Sequence, residues 1–402
     1  MSRLRSLQEQ LRSGFWALPA AFVVVALLLA VGLVALDRHL QEGFGGRLTF
    51  GAGPDGAREV LSAITTSMIT FTGLVFSITI VVLQLTSSQF SPRVLRTFLR
   101  DRVTQASLGT FVATFVYAVM VLRTVDGGEG DLFVPAVATT VGVALLLVSV
   151  GVFVAYIHHV ATAIQASSII GAIGTETRRA LERRYPPGGD GDGDADEPHP
   201  PVPAASAVLP ARRSGVITTV DEERLVRAAR EGRTVLRLLV PVGTFVAQGA
   251  PLLEVRGDAR DVDPEEALAG VRQARDRTLQ QDVAFGLRQL VDVAERALSP
   301  GTNDPTTAVQ ALDELHDLLR RLAVRPLRSG VHRDDAGRVR LLTPPERMGE
   351  FLDLALLEIE QYGKDSLQVR ARLRTVLDDV LAAARPEHRD VLRAARARQD
   401  AD

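Results

Sequence analysis

Four apolar runs crowd the first 160 residues, at Phe15–Leu36, Ile64–Leu85, Ala106–Leu122 and Leu132–Ile157. A helix rises about 1.5 Å per residue, so runs near twenty residues match a hydrocarbon core ~30 Å thick. Lipid offers the backbone no hydrogen-bond partners, so each run must be a helix that satisfies its own N–H and C=O groups. The first run exceeds the ~7–15-residue core of a cleaved signal peptide and is followed by Asp37-Arg38-His39, so it is expected to stay as a membrane helix. Trp16 stands where an interfacial anchor belongs. Asp37–Ala63 is expected to be a polar, glycine-rich loop, with Asp55 capping the helix that enters the second run. Asp126–Asp131 forms a tight acidic loop between the third and fourth.

Orientation follows from arginine. Arg93, Arg96, Arg100 and Arg102 lie between runs two and three, and Arg178, Arg179, Arg183 and Arg184 follow run four. The first loop, with Arg38, Arg47 and Arg58, dilutes the contrast. The balance places both termini in the cytoplasm and the protein in a bacterial inner membrane.

The second run is the most polar. At ~100° per residue, Thr66, Thr70, Gly73, Ser77 and Gln84 fall on one stripe of its helix. Small and hydroxyl side chains let helices approach closely and hydrogen-bond across a seam. The same stripe could instead line a path for an ion or small solute at an oligomer axis. Beyond it, Ser91-Pro92 opens an expected interfacial helix, with Val94, Leu95, Phe98, Leu99 and Val103 on one face. Arg93, Arg96, Arg100 and Arg102 lie opposite, suited to anionic headgroups. No Asp, Glu, Lys or Arg lies inside the runs away from their ends, which argues against a proton-coupled pump. His158 and His159 are adjacent on a helix and point apart, so they do not suit one metal; they read as interfacial histidines able to titrate near neutrality. Run four is expected to continue as one long helix to Pro186-Pro187.

The stretch from Ser67 to Arg123 (SMITFTGLVFSITIVVLQLTSSQF…VMVLR), together with QDVAFGLRQLVDVAERALSPGTNDPTTA from Gln281, resembles a bacterial family of predicted membrane proteins known as domain of unknown function 2254. The resemblance spans most of the chain and implies an inner-membrane location. It implies no activity, cofactor or site residues.

The remainder is expected to be a cytoplasmic α+β domain with a small β-sandwich-like part and helical hairpins. The boundaries expected are 1–185 for the four-span domain with its emerging helix, 186–205 for an acidic, proline-rich linker, 206–258 for the β-rich part and 259–402 for the mainly helical part. Asp190, Asp192, Asp194 and Asp196 imitate a calcium loop, but Ala195 replaces its glycine and Pro201 its final glutamate. Strands are expected at Ser214–Val220 and Val235–Val240 around a helix at Glu222–Glu231. The spacing of Gly243, Val246, Gly249, Leu252 and Val255 resembles the half-barrel of biotinyl- and lipoyl-type domains. The only lysine is Lys364, so no modifiable lysine accompanies that pattern. A helix is expected to open at Asp263-Pro264, with Val283, Leu287, Leu290, Val291, Ala294 and Leu298 as its apolar face. After the turn SPGTNDP, another starts at Pro305. Ser299, Asn303 and Asp304 in that turn are the candidates for ligand binding beside a helix N-terminus; turn-and-cap chemistry uses the same residue types.

A net charge of −2 gives no support to nucleic acid as partner, and there is no cysteine. No phosphate loop, metal pair or nucleophile motif occurs, so no cofactor, metal or catalytic residue is expected, and the chain is not expected to be an enzyme. The expected partners are the lipid bilayer, further copies of the chain and a small ion or solute. The function expected is an oligomeric channel-like or transport-associated protein with a sensing domain. The competing reading is a non-conducting membrane scaffold.

Overall fold

The computed structural model describes residues 17–43, 53–89, 101–125, 133–163, 165–186, 201–258, 260 and 262–401. They divide into two compact units, the boundary falling after residue 165.

The first unit holds α1 (Ala17–Gly43), α2 (Pro54–Gln89), α3 (Arg102–Leu122) and α4 (Ala136–Ala163). Each is long and apolar enough to cross a membrane. Helix α3 is the most enclosed of the four and packs against the other three. Phe71, Phe111 and Phe153 from α2, α3 and α4 meet in one aromatic cluster, with Phe71 stacked on Phe153 at 4.7 Å. Hydroxyls tie the same helices across apolar surroundings. Thr79 Oγ1 lies 2.8 Å from Tyr156 Oη, Thr114 Oγ1 3.1 Å from Ser149 Oγ, and Tyr117 donates to the Ala138 carbonyl at 2.7 Å. Without water to compete, each bond satisfies a group that would otherwise be stranded.

The stretch expected as a polar loop from Asp37 to Ala63 is partly helical. Helix α1 runs on to Gly43 and α2 starts at Pro54. Asp55 therefore sits inside the first turn of α2 instead of capping it, its charge still favourable at that end of the helix dipole. Asp37 is buried, and its carboxylate accepts from the backbone N–H of Val137 (3.0 Å) and Ala138 (2.9 Å). One helix thus satisfies the orphan donors at the start of another. The expected single long helix after run four is two helices: α4 stops at Ala163, and α5 spans Ala166–Arg184.

The second unit begins with α5 and continues through β1 (Ala205–Pro210), β2 (Gly215–Val220), α6 (Glu222–Glu231), β3 (Val235–Leu238), β4 (Phe245–Val246) and β5 (Pro251–Arg256). Then come α7 (Pro264–Ala269), β6 (Val271–Ala274), α8 (Val283–Leu298), α9 (Pro305–Ala323), β7 (Val331–Arg333), β8 (Val339–Leu342), α10 (Met348–Gly363), α11 (Leu367–Ala383) and α12 (Arg389–Ala401). One sheet runs β1-β5-β3-β8-β7, with only β3 and β8 parallel; the other runs β4-β2-β6 and is antiparallel throughout. Both sheets and α6 share a core that includes Ile217, Leu225, Leu236, Leu253 and Leu341. Gly243 and Gly249 stand at φ +90° and +82° beside β4, the backbone that favours glycine.

The β-rich part is not confined to 206–258, because β6, β7 and β8 return to it from later sequence. The helix expected from Asp263 through Leu298 is interrupted: Asp263 caps the short α7, β6 follows, and Asp282 caps a separate α8. Helices α8 and α9 form a hairpin, and α5 packs on both.

Candidate functional site

On α2 the buried residues are Leu61, Ile64, Met68, Val75 and Val82, at helical spacing. Their burial leaves the opposite face outward, and Thr66, Thr70, Gly73, Ser77 and Gln84 are all exposed on it. The stripe therefore does not serve as a seam inside this chain. Thr66 and Thr70 donate their hydroxyls to carbonyls one turn back, Ser62 and Thr66 respectively, at 3.0 Å. Those hydrogens are spent, and the oxygen lone pairs remain available outward. A Cβ built on Gly73 meets nothing within 4 Å, so the middle of the stripe is a bare stretch of backbone surface.

Arg93, Arg96 and Arg100 lie outside the described residues, as do the helix start at Ser91-Pro92, the acidic loop Asp126–Asp131 and the aspartates from Asp190 to Asp196. Arg102 is not on a surface helix: it is the exposed first residue of α3. The residue before it does more. Asp101 caps α3, accepting from Val103 N, Thr104 N and Thr104 Oγ1, and also meets His159 Nε2 of α4 at 2.9 Å. Burial opposes charge on Asp101, but its bonds to Thr104 and the neighbouring His159 outweigh that and hold its carboxyl below the usual range. His158 is exposed. Sequence spacing could not pair Asp101 with a histidine so far along the chain.

In the turn before α9, Asn303 takes a left-handed backbone at φ +47°, and Asp304 accepts from Thr307 N (3.1 Å) and Thr307 Oγ1 (2.6 Å). Those bonds to Thr307 hold the Asp304 carboxyl below its ordinary range. Ser299 Oγ donates to the Arg296 carbonyl at 2.7 Å. All three candidates are thus engaged in local turn and cap geometry.

Two charged clusters in the second unit join residues that sequence spacing leaves apart; within them only the Arg288–Asp292 pair, one turn apart on α8, is expected from helical spacing, as part of a salt-bridged face with Asp282, which pairs instead with Arg277. In the first, Glu222 at the start of α6 accepts from Arg184 (2.9 Å) and from both Nη atoms of Arg328 (3.0 and 2.6 Å). Arg184 also reaches Glu346 at 3.0 Å, and the Tyr185 hydroxyl donates to the other oxygen of Glu346 at 2.5 Å. Burial first, then the Glu346 charge, pushes the Tyr185 phenol well above its usual value, so it stays a neutral donor. Among the described residues no group of three or more histidines and carboxylates could hold a metal.

In the second cluster, Arg288 on α8 bonds Asp292 (2.7 Å), Glu295 (3.1 Å) and Glu358 of α10. Three carboxylates around one guanidinium leave an excess of negative charge. Burial, then a hydrogen bond and repulsion from Glu358, pushes Glu295 up to about 7. Unfolded, the same carboxyl titrates near 4.5, so between these values the folded state holds the extra proton. Stability contributed here is full below pH 4.5 and falls as pH rises towards 7, by roughly 1–2 kcal/mol after solvent screening. Glu295→Gln should remove that slope, matching wild type at pH 5 and exceeding it at pH 8. Unfolding midpoints of the second unit, followed by proteolysis of the detergent-solubilised full chain, would show it; parallel pH profiles for the two proteins would contradict it.

The family described as Predicted membrane protein (DUF2254) matches residues 12–379 of the chain. An uncharacterized protein of Mycobacterium bovis is 35% identical over 388 residues, covering 94% of this chain and 74% of the relative. An uncharacterized protein of Mycobacterium tuberculosis matches with the same identity and coverage. No solved structure matches.

Proposed function

The chain belongs to the DUF2254 family of predicted membrane proteins, and from that premise we propose that it is a self-associating, channel-like or transport-associated membrane protein. The observation that carries this reading is the outward polar stripe of α2. In a lone chain, the Gln84 amide and the Ser77 hydroxyl would face lipid or its interface. A polar group left unpaired in hydrocarbon costs several kcal/mol, the scale of transferring an amide or hydroxyl out of water with no partner to receive it. A second copy relieves that cost, and the open surface at Gly73 permits close approach of another helix. Around a symmetry axis the same oxygens would present acceptors to a hydrated ion or small polar solute.

The arginine distribution supports a bacterial inner-membrane location with both termini, and so the second unit, in the cytoplasm, where it would sense a signal and gate the path. One observation favours the competing reading of a non-conducting scaffold. The Thr66 and Thr70 hydroxyls are already satisfied by their own helix, as suits a dry seam between copies.

The chain has no cysteine, so single cysteines at Thr66, Thr70, Ser77 and Gln84 would be unique labels. We expect a water-soluble thiol reagent to modify all four in the assembled protein while leaving a cysteine at the exposed, apolar Ile69 unreacted. Four unreactive stripe positions that nonetheless cross-link between copies would overturn the conducting reading in favour of the scaffold.

A further inference from the structure

We propose that the first unit carries a binding site for one anionic phospholipid, with Arg38 of α1 holding the headgroup phosphate. The site is a recess of about 440 Å³ between α1 and the end of α3. Ala30, Val34 and Met120 give it an apolar wall, Arg38 and His39 stand at its polar end, and no acid lines it. Both helices are long and apolar enough to cross a membrane, so lipid is the solvent that this opening meets.

Ala30, Val34 and Arg38 follow one another a turn apart, so the arginine heads the same ridge of α1 that forms the wall. From Ala30 to Arg38 that ridge covers about 12 Å at 1.5 Å per residue, close to half of a hydrocarbon core ~30 Å thick. The wall therefore matches one acyl chain running from the headgroup level toward the bilayer centre.

Arg38 is itself uncommitted. Among the described residues its guanidinium has no hydrogen bond and no ion pair; it lies over the ring of Phe133, 5.3 Å from the centroid. The ring steadies the planar group from one side and leaves its N–H edge open to oxygen. The carboxylate next to it in sequence is engaged elsewhere. Asp37 is buried and accepts from the Val137 and Ala138 N–H groups, so its charge serves the start of α4. A guanidinium at a membrane rim with no carboxylate bound to it attracts a phosphodiester anion, whose two free oxygens match its fork. Any arginine at a rim meets headgroups in passing; the recess beneath this one gives a chain a place to stay. The site requires that the chain lie in a membrane and does not depend on its conducting or self-associating.

The test is native mass spectrometry of the full chain in uncharged detergent micelles, titrated with phosphatidylglycerol or with phosphatidylcholine of the same acyl chains. Wild type should retain one phosphatidylglycerol saturably and bind phosphatidylcholine about tenfold more weakly. Arg38→Gln should weaken phosphatidylglycerol binding about tenfold and bring the two lipids level; Arg38 is exposed, so the substitution does not threaten the fold. Arg102→Gln, at the opposite end of α3, should leave affinity within about twofold. Val31 lines the recess and is 60% exposed, so Val31→Trp should fill the opening without disturbing the packed core and should weaken both lipids. Soluble glycerol phosphate at ~10 mM should not displace the lipid. Equal retention of the two lipids by wild type, or unchanged affinity in Arg38→Gln, would overturn the site. Displacement by glycerol phosphate, or full affinity in Val31→Trp, would overturn the seated chain. Efficient disulfide cross-linking of Val31→Cys between copies in the membrane would place a second copy in the recess instead of lipid.

Discussion

Glu222→Ala is expected to destabilise the second unit by about 3 kcal/mol, because it leaves two arginines facing each other with half their counter-charge removed. The Arg184 side chain is 14% exposed and Glu222 itself 21%, so solvent only partly replaces what is lost. Glu222 receives Arg184 from the end of α5 and a two-pronged contact from Arg328, at the start of a helix whose N-terminal dipole already favours an acid. Burial works against its charge, but Arg184 and Arg328 outweigh it and keep the Glu222 carboxyl below its ordinary 4.5. The sign follows: the stabilisation is fully present above pH 4.5 and is lost as pH falls through the lower folded value. Glu222→Gln, which retains an acceptor and the volume, should cost less than Glu222→Ala at neutral pH and should flatten the acid limb. Unfolding midpoints across pH would test both parts. An unchanged midpoint in Glu222→Ala would mean that water replaces the carboxylate at no cost and that the cluster contributes little.

That cluster also shows where reading the sequence stops. Its members come from α5, α6 and the segments before and after β7 and β8, and no spacing rule connects residues so far apart. Short-range signals carried further. The helix at Glu222–Glu231 has the bounds its pattern implies, and the acids Asp263 and Asp304 cap the helices they precede. Strand β6 was hidden because four residues of alternation between a short helix and a turn are too few to outweigh a helical reading. The stripe on α2 was legible as a stripe, since periodicity fixes which residues share a face. Its direction was not, because one helix's sequence does not say which of its faces has neighbours. The apolar residues resolve it only once α3 and α4 are in place: Met68 and Val75 are enclosed, and the threonines at 66 and 70 are left outside. Asp37 is a similar case. Read along the chain it marks the end of an apolar run; in the fold it is the acceptor that completes the start of α4.

Gly286→Ala is expected to destabilise the second unit by about 2 kcal/mol, although alanine is the better helix former by ~1 kcal/mol. A Cβ at Gly286 of α8 would lie 2.1 Å from Thr177 Oγ1 and 2.5 Å from Thr177 Cγ2 of α5. Thr177 is fully buried, and its hydroxyl is held by the Ile173 carbonyl at 2.7 Å, so a β-branched side chain with few rotamers open to it has nowhere to turn. The helices themselves must separate. Gly174, on the same helix α5, provides the comparison. There the intruding methyl would meet Glu314, the end of a long side chain that can swing away at the cost of its contact with Arg178, which keeps Asp317. Gly174→Ala should therefore cost under ~1 kcal/mol, with the helix-propensity gain offsetting most of the lost contact. Thr177→Ala removes the obstructing atoms, so the double variant Thr177→Ala/Gly286→Ala should recover most of the loss, with a coupling of about 1–2 kcal/mol in the double-mutant cycle. Additive costs in that cycle would mean that the two helices do not pack through this pair.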